Sequence, residues 1–142
     1  MILYRLFRLV FRAAMQVFFA RIEVEGTDNV PEAGPVLLVP NHTNALVDGL
    51  VVGCCLRRPV VMTAKTTLAD NPVLAFMMRA ANVITLQRRE DARNDREMAK
   101  NEDAFARLLA LLAAGQAVCL FPEGKSHSDP GLRPFRTGAA RL

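Results

Sequence analysis

Two histidines and three cysteines are all that 142 residues supply of the side chains most often used as soft metal ligands or strong nucleophiles. Cys54, Cys55 and Cys119 lie inside apolar runs without metal-ligand spacing. Their odd number argues against a disulfide framework, so they read as small buried hydrophobes in a reducing compartment. No cluster of His, Cys and carboxylates has ligand spacing, so no metal is required. Long hydrophobic runs are also missing. No stretch approaches the roughly 20 apolar residues that cross a bilayer. Cleavage of a secretory signal after Ala20 would put Phe18 where a small residue is needed. There is no internal repeat and no low-complexity segment.

What is present is a chain of one-domain length in which 51% of residues are hydrophobic, enough for a sizeable core. The basic excess, 18 residues against 14 acidic, is modest but unevenly placed. Arg5, Arg8, Arg12 and Arg21 all precede the first acidic residue, Glu23. On a helix, Arg5, Arg8, Arg12 and Gln16 fall within an arc of about 80°. The rest of that helix is dominated by Leu, Val, Met and Phe. This pattern predicts an amphipathic helix over residues 1–20 lying at a membrane interface, its arginines reaching for lipid phosphates. The alternatives are a helix packed on the sheet and a plain solvated arginine stripe. Nucleic acid is not an expected partner: the basic residues neither alternate with stacking aromatics nor form a recognition helix.

Beyond this helix, apolar runs short enough for buried strands alternate with helical segments. Strands are expected at 21–25, 36–39, 60–63, 83–86 and 117–121, and helices at 45–56, 71–81 and around Phe105, Leu108, Leu109 and Leu112. Pro72 opens the second of these helices and Gly115 closes the third. Residues 87–96 read as a charged loop, and 137–142 as the first turn and a half of a helix. The fold class is α/β, a mostly parallel central sheet covered by helices.

Two strings stand where strands end, which is where an α/β domain places its chemistry. The first, Asn41-His-Thr-Asn-Ala-Leu-Val-Asp48, pairs a histidine with a carboxylate. An aspartate that accepts a hydrogen bond from one imidazole nitrogen frees the other to take a proton from a hydroxyl. Six positions apart on one helix, the two would point about 240° apart. His42 must therefore stand in the loop before the helix if the pair is to meet. In the rival reading His42 is structural and Asp48 is a polar residue of the helix. The second string, Cys119-Leu-Phe-Pro-Glu-Gly-Lys-Ser126, brings Glu123, Gly124 and a cation to one loop.

Asn41-His42 through Asp48, Ile84 to Arg88, and Phe121-Pro122-Glu123-Gly124 occur in the order and rough spacing of the glycerolipid acyltransferases. The chain from about Val24 onward, including Asp129-Pro-Gly-Leu-Arg-Pro-Phe-Arg-Thr-Gly-Ala-Ala-Arg141, resembles that family. The gap of five residues between His42 and Asp48 is one longer than usual and resembles a branch of the family. The family's fourth block, an apolar strand with a proline, would follow Leu142. The resemblance thus implies an acyltransferase domain over 21–142 that is incomplete at its C-terminus.

The resemblance implies roles as well. His42 would be the general base and Asp48 its orienting partner. Arg88 would hold the acceptor phosphate, with Arg89 as competitor, and Lys65 is a second candidate cation. Glu123 would bond the glycerol or fix an arginine, and Gly124 would let backbone N–H groups approach the phosphate. His127 reads as a loop residue. The implied partners are membrane lipids, an acyl thioester donor (acyl-CoA or acyl-carrier protein, with no cofactor) and a phosphorylated glycerol acceptor. The expected location is the cytoplasmic face of a membrane, peripheral or monotopic. The competing functions are a non-catalytic lipid-binding module and a hydrolase that uses the same histidine on water.

Overall fold

Four parallel strands lie in the order β1-β4-β2-β3: β1 is Val36–Leu38, β2 Val60–Lys65, β3 Ile84–Leu86 and β4 Ala117–Cys119. The structure is a computed structural model and describes residues 2–87, 95–128 and 131–142. The helices are α1 (Ile2–Phe18), α2 (Ala45–Cys55), α3 (Pro72–Ala80) and α4 (Asp95–Ala113). The expected α/β architecture is therefore present, with an all-parallel sheet.

β4 is central and wholly buried. Its register pairs Val118 with both Leu37 and Val61, so alternate side chains feed two cores. One core joins Val61, Ile84 and Val118 to Leu108 and Leu112 of α4. The other joins Val60, Ala117 and Cys119 to Val52 and Leu56, at and just past the end of α2. Burying both faces is what lets these strands be continuous apolar runs rather than alternating ones.

Local chemistry sets the boundaries. The Asn71 side-chain oxygen accepts from the Val73 and Leu74 N–H groups at 2.9 and 3.2 Å, and Pro72 takes the first helical position. Gly115 ends α4's run with φ +75°. At the N-terminal end of the sheet, Arg58 donates to the carbonyls of Pro31, Gly34 and Gly115 at 2.7–2.8 Å. The apparent breaker Arg57-Arg58-Pro59 thus holds three loops together.

Three expectations about secondary structure need correction. Residues 21–25 form no strand. Ile22 and Val24 are exposed, and no strand among the described residues pairs with them; alternation without a ladder partner does not make a strand. Of the charged loop expected over 87–96, residues 88–94 lie outside the described residues, and Asp95 is already helical. Residues 137–142 contain only a 3-10 turn, Ala139–Arg141.

α1 is three-sided. Phe7, Phe11, Tyr4 and Met15 turn inward, where the helix packs on α2 and α3. Arg5, Arg12 and Gln16 form an exposed polar strip. Leu3, Leu6, Leu9, Val10 and Val17 form a separate apolar face open to the outside, with Val17 89% exposed. Arg8 does not reach outward as expected. Its guanidinium donates to the carbonyls of Cys54, Leu56 and Arg57, which satisfies the end of α2. No helix among the described residues is long and apolar enough to cross a membrane.

Candidate functional site

The strand order brings the two sequence strings together. β1 and β4 are neighbours, so the loop after β1 (His42) meets the loop after β4 (Phe121–His127) at the carboxyl edge of the sheet. Leu120 N–H donates to Leu38 O at 3.0 Å and extends the pairing to the loop mouths. His42 stands in the loop, three residues before α2 begins, and Asp48 lies in the helix's first turn.

The two side chains meet. His42 Nδ1 is 3.0 Å from Asp48 Oδ2. The same carboxylate oxygen accepts the Asn44 N–H at 2.7 Å, so its position is fixed by the helix start. Asp48 thereby serves the N-terminus of α2 while holding the imidazole. The His42 ring lies stacked on Phe121, with centroids 4.0 Å apart and planes 23° apart. The pair is sheltered, with side chains 13% and 19% exposed. Phe121 is part of the quoted third block, yet its place beneath the imidazole follows only from the adjacency of β1 and β4.

Two cavities converge on this ring. One, of about 490 Å³, runs from His42 between α1, α2, α3 and β2. Its walls include Phe7, Phe11, Leu50, Gly53, Met62, Leu74 and Met78 and are overwhelmingly apolar. The other, of about 450 Å³, is the more polar of the two and is lined by Lys65, Gln87, Asn101, Arg136, Thr137 and Arg141 together with Leu86, Phe105 and Leu120. His42, Thr63, Ala64, Lys65 and Phe121 border both.

Lys65, at the end of β2, sits at this junction. Gly124 lines the polar cavity with φ +70°, but its own N–H is already used, donating to Phe121 O at 3.2 Å. What the missing side chain admits is Arg136. A Cβ on Gly124 would lie 2.9 Å from the Arg136 Cδ and Nε. Arg136 is also tied to this loop by its N–H, which donates to Pro122 O at 2.8 Å. Sequence reasoning missed Arg136; its signal was the Phe-Arg-Thr-Gly run, but only the fold lays it across Gly124. Asn101 was missed too. Its side chain clamps the Gln87 N–H and C=O at 2.7 and 2.6 Å, fixing the end of β3 beside the polar cavity. Glu123 lines neither cavity: its side chain is fully buried and bonded to His127, and no arginine among the described residues pairs with it. Arg88 and Arg89 lie outside the described residues.

The cysteines are held protonated. Burial in the sheet pushes the Cys119 thiol up to about 12. Burial also raises Cys54, with Cys55 adding to the effect and Arg8 and Arg12 opposing it. Cys55 is raised by burial as well, against Arg12 and Arg8. None is a ready thiolate nucleophile. Among the described residues, no group of three His, Cys, Asp or Glu side chains could hold a metal ion.

The model of the acyltransferase family matches residues 21–142, nearly the whole chain. The chain belongs to that family. Over 122 residues it is 30% identical to the chloroplastic 1-acyl-sn-glycerol-3-phosphate acyltransferase of Arabidopsis thaliana, which covers 85% of this chain and 32% of the relative. A 1-acyl-sn-glycerol-3-phosphate acyltransferase of Borreliella burgdorferi is 25% identical over 122 residues, 86% of this chain and 46% of the relative. An uncharacterized Mycobacterium tuberculosis protein is 30% identical over 125 residues, covering 81% and 30% of the two chains. The chain therefore spans about a third to a half of the length of these relatives. No solved structure gives a significant match.

Proposed function

We propose that this acyltransferase domain transfers a fatty acyl group from an acyl thioester, acyl-CoA or acyl-carrier protein, to a hydroxyl of lysophosphatidic acid or glycerol 3-phosphate at a membrane surface. One observation carries the reading: the His42 imidazole stands where an apolar cavity meets a more polar one that carries Lys65, Arg136 and Arg141. A hydrocarbon chain gains by leaving water for the first, and an anionic headgroup is matched by the cations of the second. The names of the plant and Borreliella relatives point to the same acceptor class.

In this reading His42 Nδ1–H donates to Asp48, which selects the tautomer whose Nε2 is an acceptor. Nε2 takes the hydroxyl proton as the acceptor oxygen attacks the thioester carbonyl. The imidazolium that forms is stabilised by Asp48, and the proton then passes to the departing thiolate. Asp48 stays ionised throughout. The stack on Phe121 and the Asn44 bond keep the ring and carboxylate in register, so little reorganisation is needed at the reacting moment.

Lys65 and Arg136 are assigned to the acceptor phosphate, with Arg88 as the cation that the family resemblance adds. Glu123 acts on the loop rather than on substrate. Lys65→Ala and Arg136→Ala are each expected to raise the acceptor KM by about 10- to 100-fold, since a charge-assisted contact contributes roughly 1.5–3 kcal/mol. The donor KM should change little. Steady-state kinetics with both substrates varied checks this, and an unchanged acceptor KM in both variants puts phosphate recognition elsewhere.

The outer face of α1 supports membrane association: an exposed Leu/Val surface flanked by Arg5 and Arg12 suits the boundary between acyl chains and anionic headgroups. The cytoplasmic leaflet is the proposed location. Placing aspartates at Val10 and Val17 is expected to release the protein from phosphatidylglycerol-containing vesicles in a flotation assay. Retention of both variants would mean that another surface does the binding.

The activity itself is tested by incubating the full-length protein with labelled acyl-CoA or acyl-carrier protein and a panel of glycerol-phosphate acceptors. Labelled phosphatidic or lysophosphatidic acid is the expected product. Free fatty acid alone would make the domain a hydrolase, and vesicle binding without turnover would make it a lipid-docking module.

A further inference from the structure

The chain's second histidine belongs to a second imidazole–carboxylate pair. His127 Nε2 lies 2.5 Å from Glu123 Oε2, with side chains 2% and 0% exposed. Neither residue lines either cavity, so the pair does not reach a bound substrate. It does bear on the group that would. The His127 backbone N–H donates to the carbonyl of His42 at 3.0 Å. At the other end of the same loop, the Phe121 ring is stacked on the His42 imidazole. The bond between 123 and 127 therefore ties together the two places where this loop grips His42, one at the backbone and one at the ring.

The Arg136 N–H on Pro122 O also holds this loop, but its internal bonding is sparse. Residues 121–127 form no regular structure, and the one backbone bond within them is Gly124 N–H to Phe121 O. Left open, such a segment would populate many conformations. A buried ionisable pair is a costly way to close it, because Glu123 Oε1 is left inside the protein with no partner. Two packed apolar side chains would do the same at lower cost, but without a directional bond. Direction is what the arrangement supplies.

We propose that Glu123 and His127 are a positioning pair. They lock the loop after β4 so that Phe121 and the His127 N–H together set the His42 ring at the junction of the two cavities. The inference rests on the reading of His42 as the base. It assigns to Glu123 a role in kcat rather than in acceptor binding.

The test is steady-state kinetics, with both substrates varied, on the full-length protein carrying His127→Asn, His127→Gln, Glu123→Gln and the double variant Glu123→Gln/His127→Asn. The asparagine amide is too short to reach Glu123, and kcat should fall by up to about 10²-fold, the cost of roughly 1 Å of misplacement. Both KM values should stay within about twofold, since ground-state binding is untouched. The longer glutamine should recover much of the loss. Glu123→Gln should lower kcat less than His127→Asn, and the double variant should be no worse than His127→Asn, because the two act as one unit. Two results overturn the inference: wild-type kcat in both His127→Asn and Glu123→Gln, or a loss that appears in the acceptor KM instead. Circular dichroism confines the comparison to folded protein; if His127→Asn does not fold, the near-isosteric Glu123→Gln decides alone. Failure here is separable from failure of the acyltransferase reading. In the latter case His42→Ala itself would keep full turnover.

Discussion

Replacing His42 by alanine is expected to lower acyl transfer by about 10²–10⁴-fold, the range for loss of a positioned general base. The fold should be preserved, because the ring packs mainly against Phe121 and borders two open cavities. Asp48→Asn should produce a loss of similar size for a different reason. An amide can still accept from the Asn44 N–H, so α2 keeps its start. It cannot stabilise the imidazolium, and it can present an N–H that favours the wrong tautomer. The double variant should be scarcely worse than either single one. Rates under saturating donor and acceptor check all three. Additive losses would show that the two side chains work separately, and near-wild-type turnover in His42→Ala would remove the proposed mechanism.

The second large effect is expected at Gly53, on the wall of the apolar cavity. A Cβ placed there meets nothing within 4 Å, so a larger side chain would project into the space rather than into protein. Gly53→Leu should shorten the acyl chain that the domain accepts. If two methylenes lose their place, the cost is about 1.6 kcal/mol, at roughly 0.8 kcal/mol per buried methylene, or about 15-fold in kcat/KM for the longest donors. Short donors should be used as well as before. Leucine is also a better helix former than glycine by roughly 0.5–1 kcal/mol, so α2 should not be weakened. A series of acyl-CoA donors of increasing length measures the shift. An unchanged chain-length profile would move the acyl chain out of this cavity.

Much of this candidate site is legible in the sequence, wherever the signal is local. The 240° separation of His42 and Asp48 on a single helix demanded a loop histidine, and Asn44 ends that loop. Asn71-Pro72 announced α3 because capping needs only neighbours. What depends on distant parts of the chain was not legible. Residues 21–25 alternate like a strand but find no partner, whereas the three-residue β1 and β4 are strands because the sheet makes them so. Arg8 carried the same signature as Arg5 and Arg12, yet the end of α2 claims it. Arg136 across Gly124, and Glu123 turned to His127, are consequences of loop packing that spacing alone does not encode.

The hold of Arg8 on the last carbonyls of α2 bears on how the molecule can be handled. Residues 2–18 look like a removable leash, and trimming them would be a natural route to a better-behaved sample. Yet that cut would strip the cap from α2 and take Phe7 and Phe11 from the cavity wall. The leash is also a rafter, and shortening the chain there dismantles part of the room it roofs.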